Sequence, residues 1–188
     1  MSTDRSKPRD IVTLTIALDG TEPRIWRRLE VPATYRLDKL HRTVNAAMGW
    51  DDDHLHEFQI GGRSYGTPRQ NAFAQADRTI SEKGVVLGDL ARARRKRFKY
   101  WYDFGDDWWH TIEIEAIGPA QEGVVYPRCT DGANACPPED CGGVWGFEAF
   151  KEAMADPGHP DHADLMEWYG GDYDPTAFSV EATSKLLR

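Results

Sequence analysis

The fifteen residues CTDGANACPPEDCGG, positions 129 to 143, hold three cysteines, two adjacent acids, a proline pair and a glycine pair. Thiolates bind Zn²⁺ well, and Cys129, Cys136 and Cys141 with a histidine as fourth ligand would make a zinc clip. The spacing weakens that reading, because six and four residues separate the cysteines and no Cys-x2-Cys knuckle is present. Small thiols packing a compact loop are the plainer alternative. Glu139 and Asp140 are candidate general bases, although carboxylates in a proline–glycine loop more often accept hydrogen bonds from backbone N–H groups. The expectation is an ordered loop that packs on the domain and positions a helix beginning near Gly146.

Histidines give the second constellation. In HLHEFQI, 54–60, strand alternation would place His54, His56, Phe58 and Ile60 on one face. His54 and His56, joined by His110 from a neighbouring hairpin, could offer three imidazole nitrogens to Zn²⁺ or another transition metal, the basis of a metal-dependent enzyme. The alternative is a set of core histidines satisfied by internal hydrogen bonds. YDFGDDWWH, 102–110, gathers aspartates and tryptophans at a turn, and EWYGGDYD, 167–174, has the same character. Together they suggest an acidic, aromatic pocket for a cationic or polar ligand, lined by His54, His56, Asp103, Asp106, Trp108, His110, Trp168 and Tyr169. Against this stands a hairpin turn whose aspartates face water while its aromatics seal the core.

Charge is unevenly placed within a net −8. Residues 1–100 carry 19 Lys/Arg against 13 Asp/Glu, and residues 101–188 carry 4 against 18. Two solvated faces attracting one another would account for that. The run RARRKRFK, 92–99, supplies the nucleic-acid alternative through Arg92, Arg94, Arg95, Lys96, Arg97 and Lys99, opposed by the repulsion of the acidic half for phosphate. The polar N-terminus shows no apolar secretory segment and no run long enough to span a membrane, so no membrane partner and a cytoplasmic location are expected.

These groups must be positioned by ordinary elements. IVTLTIAL, 11–18, and IWRRLEVP, 25–32, read as a strand hairpin. Leu37, Leu40, Val44, Ala47 and Met48 follow helical spacing, with Gly49 as the stop. Residues 67–84 read as a polar loop, and 85–90 as an apolar segment of undecided type. FKYWYDF, 98–104, places Phe98, Tyr100, Tyr102 and Phe104 on one face. WHTIEIEAI, 109–117, places His110, Ile112, Ile114 and Ala116 inward, so these two form a second hairpin. Short helices are expected around Phe147–Met154, after an Asp161 cap, and from Asp174-Pro175 onward. The expectation is therefore an α+β fold, one domain over 11–188 with a mainly antiparallel sheet, behind a flexible tail at 1–10.

The segments IWRRLEVP, LDKLHRTVNAAMGWDDDHLHEF, YWYDFGDDWWH, CPPEDCGGVWGF and EWYGGDYDPTAF closely resemble the plasmid pRiA4b ORF-3-like family, in the family's order, from about Ile11 to Phe178. The resemblance implies a roll-like single domain and no established activity. Some members bear a resolvase-like, insertion-element passenger label. A serine recombinase needs a nucleophilic serine among arginines and a helix-turn-helix, and neither is identifiable here. Phosphate-binding, dinucleotide, α/β-hydrolase and zincin motifs are also missing. A binding or interaction module of a mobile or accessory locus, with a protein or small-molecule partner, is the expectation that remains foremost.

Overall fold

The computed structural model describes residues 10–67 and 79–188. Most of the expected N-terminal tail and positions 68–78 of the expected polar loop thus lie outside the described residues. Asp10 already belongs to the first strand, β1 (Asp10–Leu18). Its β-branched run alternates, sending Val12, Leu14, Ile16 and Leu18 into the core. It pairs antiparallel with β2 (Trp26–Pro32), as the hairpin reading requires. The amphipathic helix α1 (Leu37–Met48) then lays its apolar stripe on the sheet and stops at Gly49, whose φ of 83° suits a residue without Cβ.

The remaining strands are β3 (His56–Ile60), β4 (Arg63–Gly66), β5 (Ile80–Ser81), β6 (Arg97–Tyr102), β7 (Trp108–Pro119) and β8 (Arg128–Ala133). All eight join one sheet in the order β5-β4-β3-β6-β7-β1-β2-β8. Every pairing is antiparallel except that of β4 with β5. Helix α2 (Leu87–Arg92) forms from the segment whose type the sequence left undecided. Helices α3 (Gly143–Ala155), α4 (His162–Tyr169) and α5 (Val180–Leu186) complete an α+β fold with a mainly antiparallel sheet. The β8 edge is covered by α5, where Ser184 Oγ accepts from the Cys129 N–H at 3.0 Å and donates to the Cys129 carbonyl at 3.1 Å.

Several expectations shift locally. Cys129 lies in strand β8, so only the later part of 129–143 is a loop. His54 precedes β3 and does not share its alternation. Phe104 has left the strand and stacks on Trp101, on the opposite side from Tyr100 and Tyr102, with centroids 4.1 Å apart. A bulge carries the β1–β7 register from Thr13↔Ala116 to Leu14↔Ile114, which leaves Ala116 exposed and packs Ile117 instead. Asp161 makes no side-chain capping bond to α4. The terminal helix begins at Val180, because Asp174 closes a local turn with Thr176 and Ser179 Oγ provides the cap on the Ala182 N–H.

The core has an unexpected centre. Arg27 occupies the inward position between Ile25 and Leu29 on β2 and is 4% exposed. Its Nε donates to the Ala47 carbonyl at 3.2 Å. Nη1 donates to the carbonyls of Trp26 and Ala133, both at 2.9 Å. Nη2 donates to the Asn134 carbonyl at 2.8 Å and the Cys136 sulfur at 3.0 Å. All five N–H groups are thereby used, and the Phe178 ring lies 4.5 Å from the guanidinium carbon. Arg27→Met should cost about 3–5 kcal/mol, since it removes the donor from several buried carbonyls at once. At this chain length that is a fall in melting temperature of about 10 °C. Arg27→Lys should fare little better, because an ammonium cannot span the same acceptors. Thermal melting checks this, and a Met variant within two or three degrees of wild type would refute it (about 1 kcal/mol).

Candidate functional site

Arg27 fixes the start of the loop after β8, and four further bonds fix its course. Trp50 Nε1 donates to the Pro137 carbonyl at 2.9 Å. Glu139 accepts from the Tyr102 hydroxyl at 2.6 Å and from the Asp51 N–H at 2.7 Å, one oxygen each. Asp106 accepts from the Gly142 N–H at 3.0 Å. Burial, and then the Glu139 carboxylate, push the Tyr102 hydroxyl far above its usual range, so it stays a donor. Glu139 is thus a tether with both oxygens engaged, one of them on a backbone donor as expected for this loop. Asp140, with φ of 59° and a side chain 73% exposed, is left projecting beside His54.

The tethered loop forms one wall of an open cleft of about 1090 Å³. Asp51, Glu139 and Asp140 line the cleft, as do Trp168 and Tyr169 at the end of α4. These two aromatic residues are 50% and 42% exposed, unusual for rings of that size. The two acidic, aromatic stretches therefore meet in part. Asp103 and Asp106 approach the cleft through the loop, whereas Trp108 and His110 are sealed in the core. Around the cleft, Asp51, Asp53, Asp103, Asp106, Asp107, Glu139 and Asp140 have no Lys or Arg partner among the described residues. Among the described residues, the bases in direct contact with Asp52, Asp103 and Asp140 are histidines.

The three expected histidines go to three separate places. His54 Nδ1 lies 3.7 Å from Asp103 Oδ1, and its Nε2 lies 3.3 Å from Asp140 Oδ1. His56 is buried, with Nε2 2.7 Å from Glu82 Oε2, and stacks on His41 with centroids 3.4 Å apart and planes inclined by 11°. His110 is fully buried, and neither ring nitrogen meets a partner at hydrogen-bonding geometry. The group His54, His56 and His110 is not brought together. Among the described residues, the cluster whose ligand atoms all fall within 4.8 Å of one another is His54, Asp103 and Asp140.

Sequence reading overlooked the group around His41. Its Nδ1 lies 2.6 Å from the Tyr100 hydroxyl and its Nε2 2.5 Å from Asp52 Oδ1. Tyr100 also donates to Asn45 Oδ1 at 3.0 Å, and Asn45 Nδ2 donates to Asp52 at 3.0 Å, closing a ring of four side chains. Burial pushes His41 down to about 2, helped by His56 and Arg42, while burial raises Asp52. Burial thus disfavours the charged form of the stacked His41 ring. A signal existed, since His41 sits on the stripe of Leu37, Leu40 and Val44. Arg27 likewise interrupts an apolar alternation. Glu82 lay in a polar stretch without periodicity and gave no sign.

The cysteines do not converge. The Cys129 thiol donates to the Asp131 carbonyl at 3.3 Å. The Cys136 thiol accepts from Arg27 and donates to Met48 Sδ at 3.3 Å. Burial raises all three, Cys136 to about 11 and Cys141 to about 12, so they are protonated and poor nucleophiles. In the basic run, Arg92 pairs with Asp10 and Lys99 with Asp19. Arg94, Arg95, Lys96 and Arg97 are exposed at the turn into β6. No helix among the described residues is long and apolar enough to cross a membrane.

The chain belongs to the plasmid pRiA4b ORF-3-like family, whose model matches residues 10–182. It is 42% identical over 179 residues to the uncharacterized protein y4hQ of Sinorhizobium fredii, covering 94% of this chain and 90% of that one. A crystal structure of a protein of unknown function, MM3350 from Methanosarcina mazei, superposes with a TM-score of 0.81 at 38% identity. That match covers 92% of this chain and 97% of the archaeal one. Neither relative carries an assigned activity, so the likeness fixes family and fold.

His110 gives a pH-dependence. Burial lowers it from 6.5 to about 4. Below its unfolded value the unfolded chain takes up a proton that the folded chain refuses. Its stability contribution is thus full above pH 6.5 and falls as pH drops from there toward about 4. The slope is about 1.4 kcal/mol per pH unit for this one site. His110→Phe should flatten the acid limb by one proton's worth and leave melting at neutral pH unchanged or raised. Denaturant titrations across that range check both. A loss above about 2 kcal/mol at neutral pH with an unaltered acid slope would contradict the account.

Proposed function

We propose that this protein is a binding module of a plasmid or other accessory locus, and that its cleft takes an extended, basic segment of a partner protein. The observation that carries the reading is the mixed lining of the cleft. Carboxylates that have no Lys or Arg partner among the described residues line it together with half-exposed Trp168 and Tyr169. A lysine or arginine side chain satisfies both, through charge and through its attraction to an aromatic face. The cleft is open along its length, which suits a chain laid across it better than a small molecule enclosed on most sides. Glu139 is engaged through both oxygens as a tether, which suits a role in shaping the cleft.

Titration with a Lys/Arg-rich peptide, followed by tryptophan fluorescence, tests the proposal. Binding should be saturable and should weaken as salt rises. Asp140→Asn and Trp168→Ala should each weaken it about 3- to 10-fold. An acidic peptide of equal length should not bind. No binding at low salt, or preference for a DNA duplex that is lost when Arg94 and Arg97 are changed, would overturn the reading in favour of the basic turn.

A further inference from the structure

We propose that His54, Asp103 and Asp140 form a divalent-cation site at the rim of the cleft. The three residues come from distant parts of the chain: the approach to β3, the β6–β7 turn and the loop after β8. The fold brings one imidazole nitrogen and one oxygen of each carboxylate within 4.8 Å of one another. The closer contacts run to different ring nitrogens, Nε2 to Asp140 at 3.3 Å and Nδ1 to Asp103 at 3.7 Å. Neighbouring ligands of a cation with bonds near 2.1 Å stand roughly 3.0–3.5 Å apart, so a rotation of the His54 ring and of the exposed Asp140 side chain, bringing both oxygens to one nitrogen, completes the shell.

Two of the three ligands are held in advance. Asp103 is 8% exposed, and its Oδ1 accepts from the Gly105 N–H at 2.9 Å. His54 sets its ring edge against the Tyr102 ring, with centroids 5.8 Å apart and planes at 81°. Asp140 is carried by the loop that Glu139 tethers. Electrostatics supplies an independent argument. Asp53 and Glu139 are the chain neighbours of His54 and Asp140, Asp106 bonds the Gly142 N–H of the same loop, and among the described residues none of the three carboxylates has a Lys or Arg partner. A dication would relieve that repulsion.

The ligand set is one nitrogen and two oxygens, and no thiol belongs to the group. It selects Mn²⁺, Fe²⁺, Co²⁺ or Zn²⁺ over soft Cu(I). Three protein ligands leave coordination positions facing the solvent side, open to water or to an oxygen donor from a bound partner. The site stands whether or not the cleft takes a basic peptide, and metal alone tests it.

The experiment uses the full chain, untagged and stripped of metal. Calorimetry with Mn²⁺ and Co²⁺ should give one saturable site, and melting temperature should rise with metal concentration. His54→Ala and Asp140→Asn should each weaken binding about ten-fold or more, and Cys141→Ser should leave it unchanged. Asp140 is exposed, so its substitution spares the fold. Nitrogen coupling in the electron paramagnetic resonance of bound Mn²⁺ should vanish in His54→Ala. Absence of saturable binding, retention of affinity in both variants, or loss in the cysteine variant would overturn the proposal.

Discussion

A guanidinium buried without a carboxylate partner dictates how the other parts meet. Removing such a charge from water costs several kcal/mol unless every N–H finds an acceptor. Arg27 meets that demand with carbonyls from α1, its own strand, β8 and the following loop, and with one sulfur. Ala133, Asn134 and Cys136 must therefore turn their acceptors toward it. That leaves 137–142 only one course, over the end of α1 toward the β6–β7 turn. There Glu139 captures Tyr102 and Asp51, and Asp140 is delivered to the rim. The cleft's acidic wall follows from satisfying one buried cation.

The interior behind that wall is also polar. His41 and His56 stack in the centre of the core, each against a carboxylate, and Tyr100 and Asn45 complete the bonding. Directional bonds of this kind specify how α1 sits on β3 and β6 where apolar contact alone would permit sliding. Asp52 belongs both to this ring and, through its partly exposed side chain, to the acidic surface around residues 51–54. Charge bound at the surface and protons held in the core are thereby neighbours.

Most elements were legible because each rests on a local pattern: the alternation of 11–18, the helical stripe from Leu37, the glycine stop, the aspartate turn between β6 and β7. Misreadings arose where a distant partner decided. Cys129 became strand because β2 offered a ladder to it. The bulge opposite Thr13–Leu14 cannot be read from β7 alone, since it is a property of the pairing with β1. In the candidate site, the residue types were found but their grouping was not. His54, His56 and His110 share a type and a plausible spacing, yet one faces aspartates, one a stacked histidine and one the apolar core. Arg27 and His41 showed themselves as polar residues on apolar faces, and what they bond could emerge only from three-dimensional placement.

The central claim is that the loop held by Arg27 and Glu139 shares with Trp168 and Tyr169 a cleft made for a cation-bearing chain. Backbone and indole NMR spectra recorded during titration with a Lys/Arg-rich peptide test it most directly. The account predicts perturbations at the Trp168 indole, at the amides of Gly49 to Asp51 and at those of Glu139 to Gly142, with residues 94–97 unmoved. Perturbations gathered at 94–97, or none above background at low salt, would contradict it.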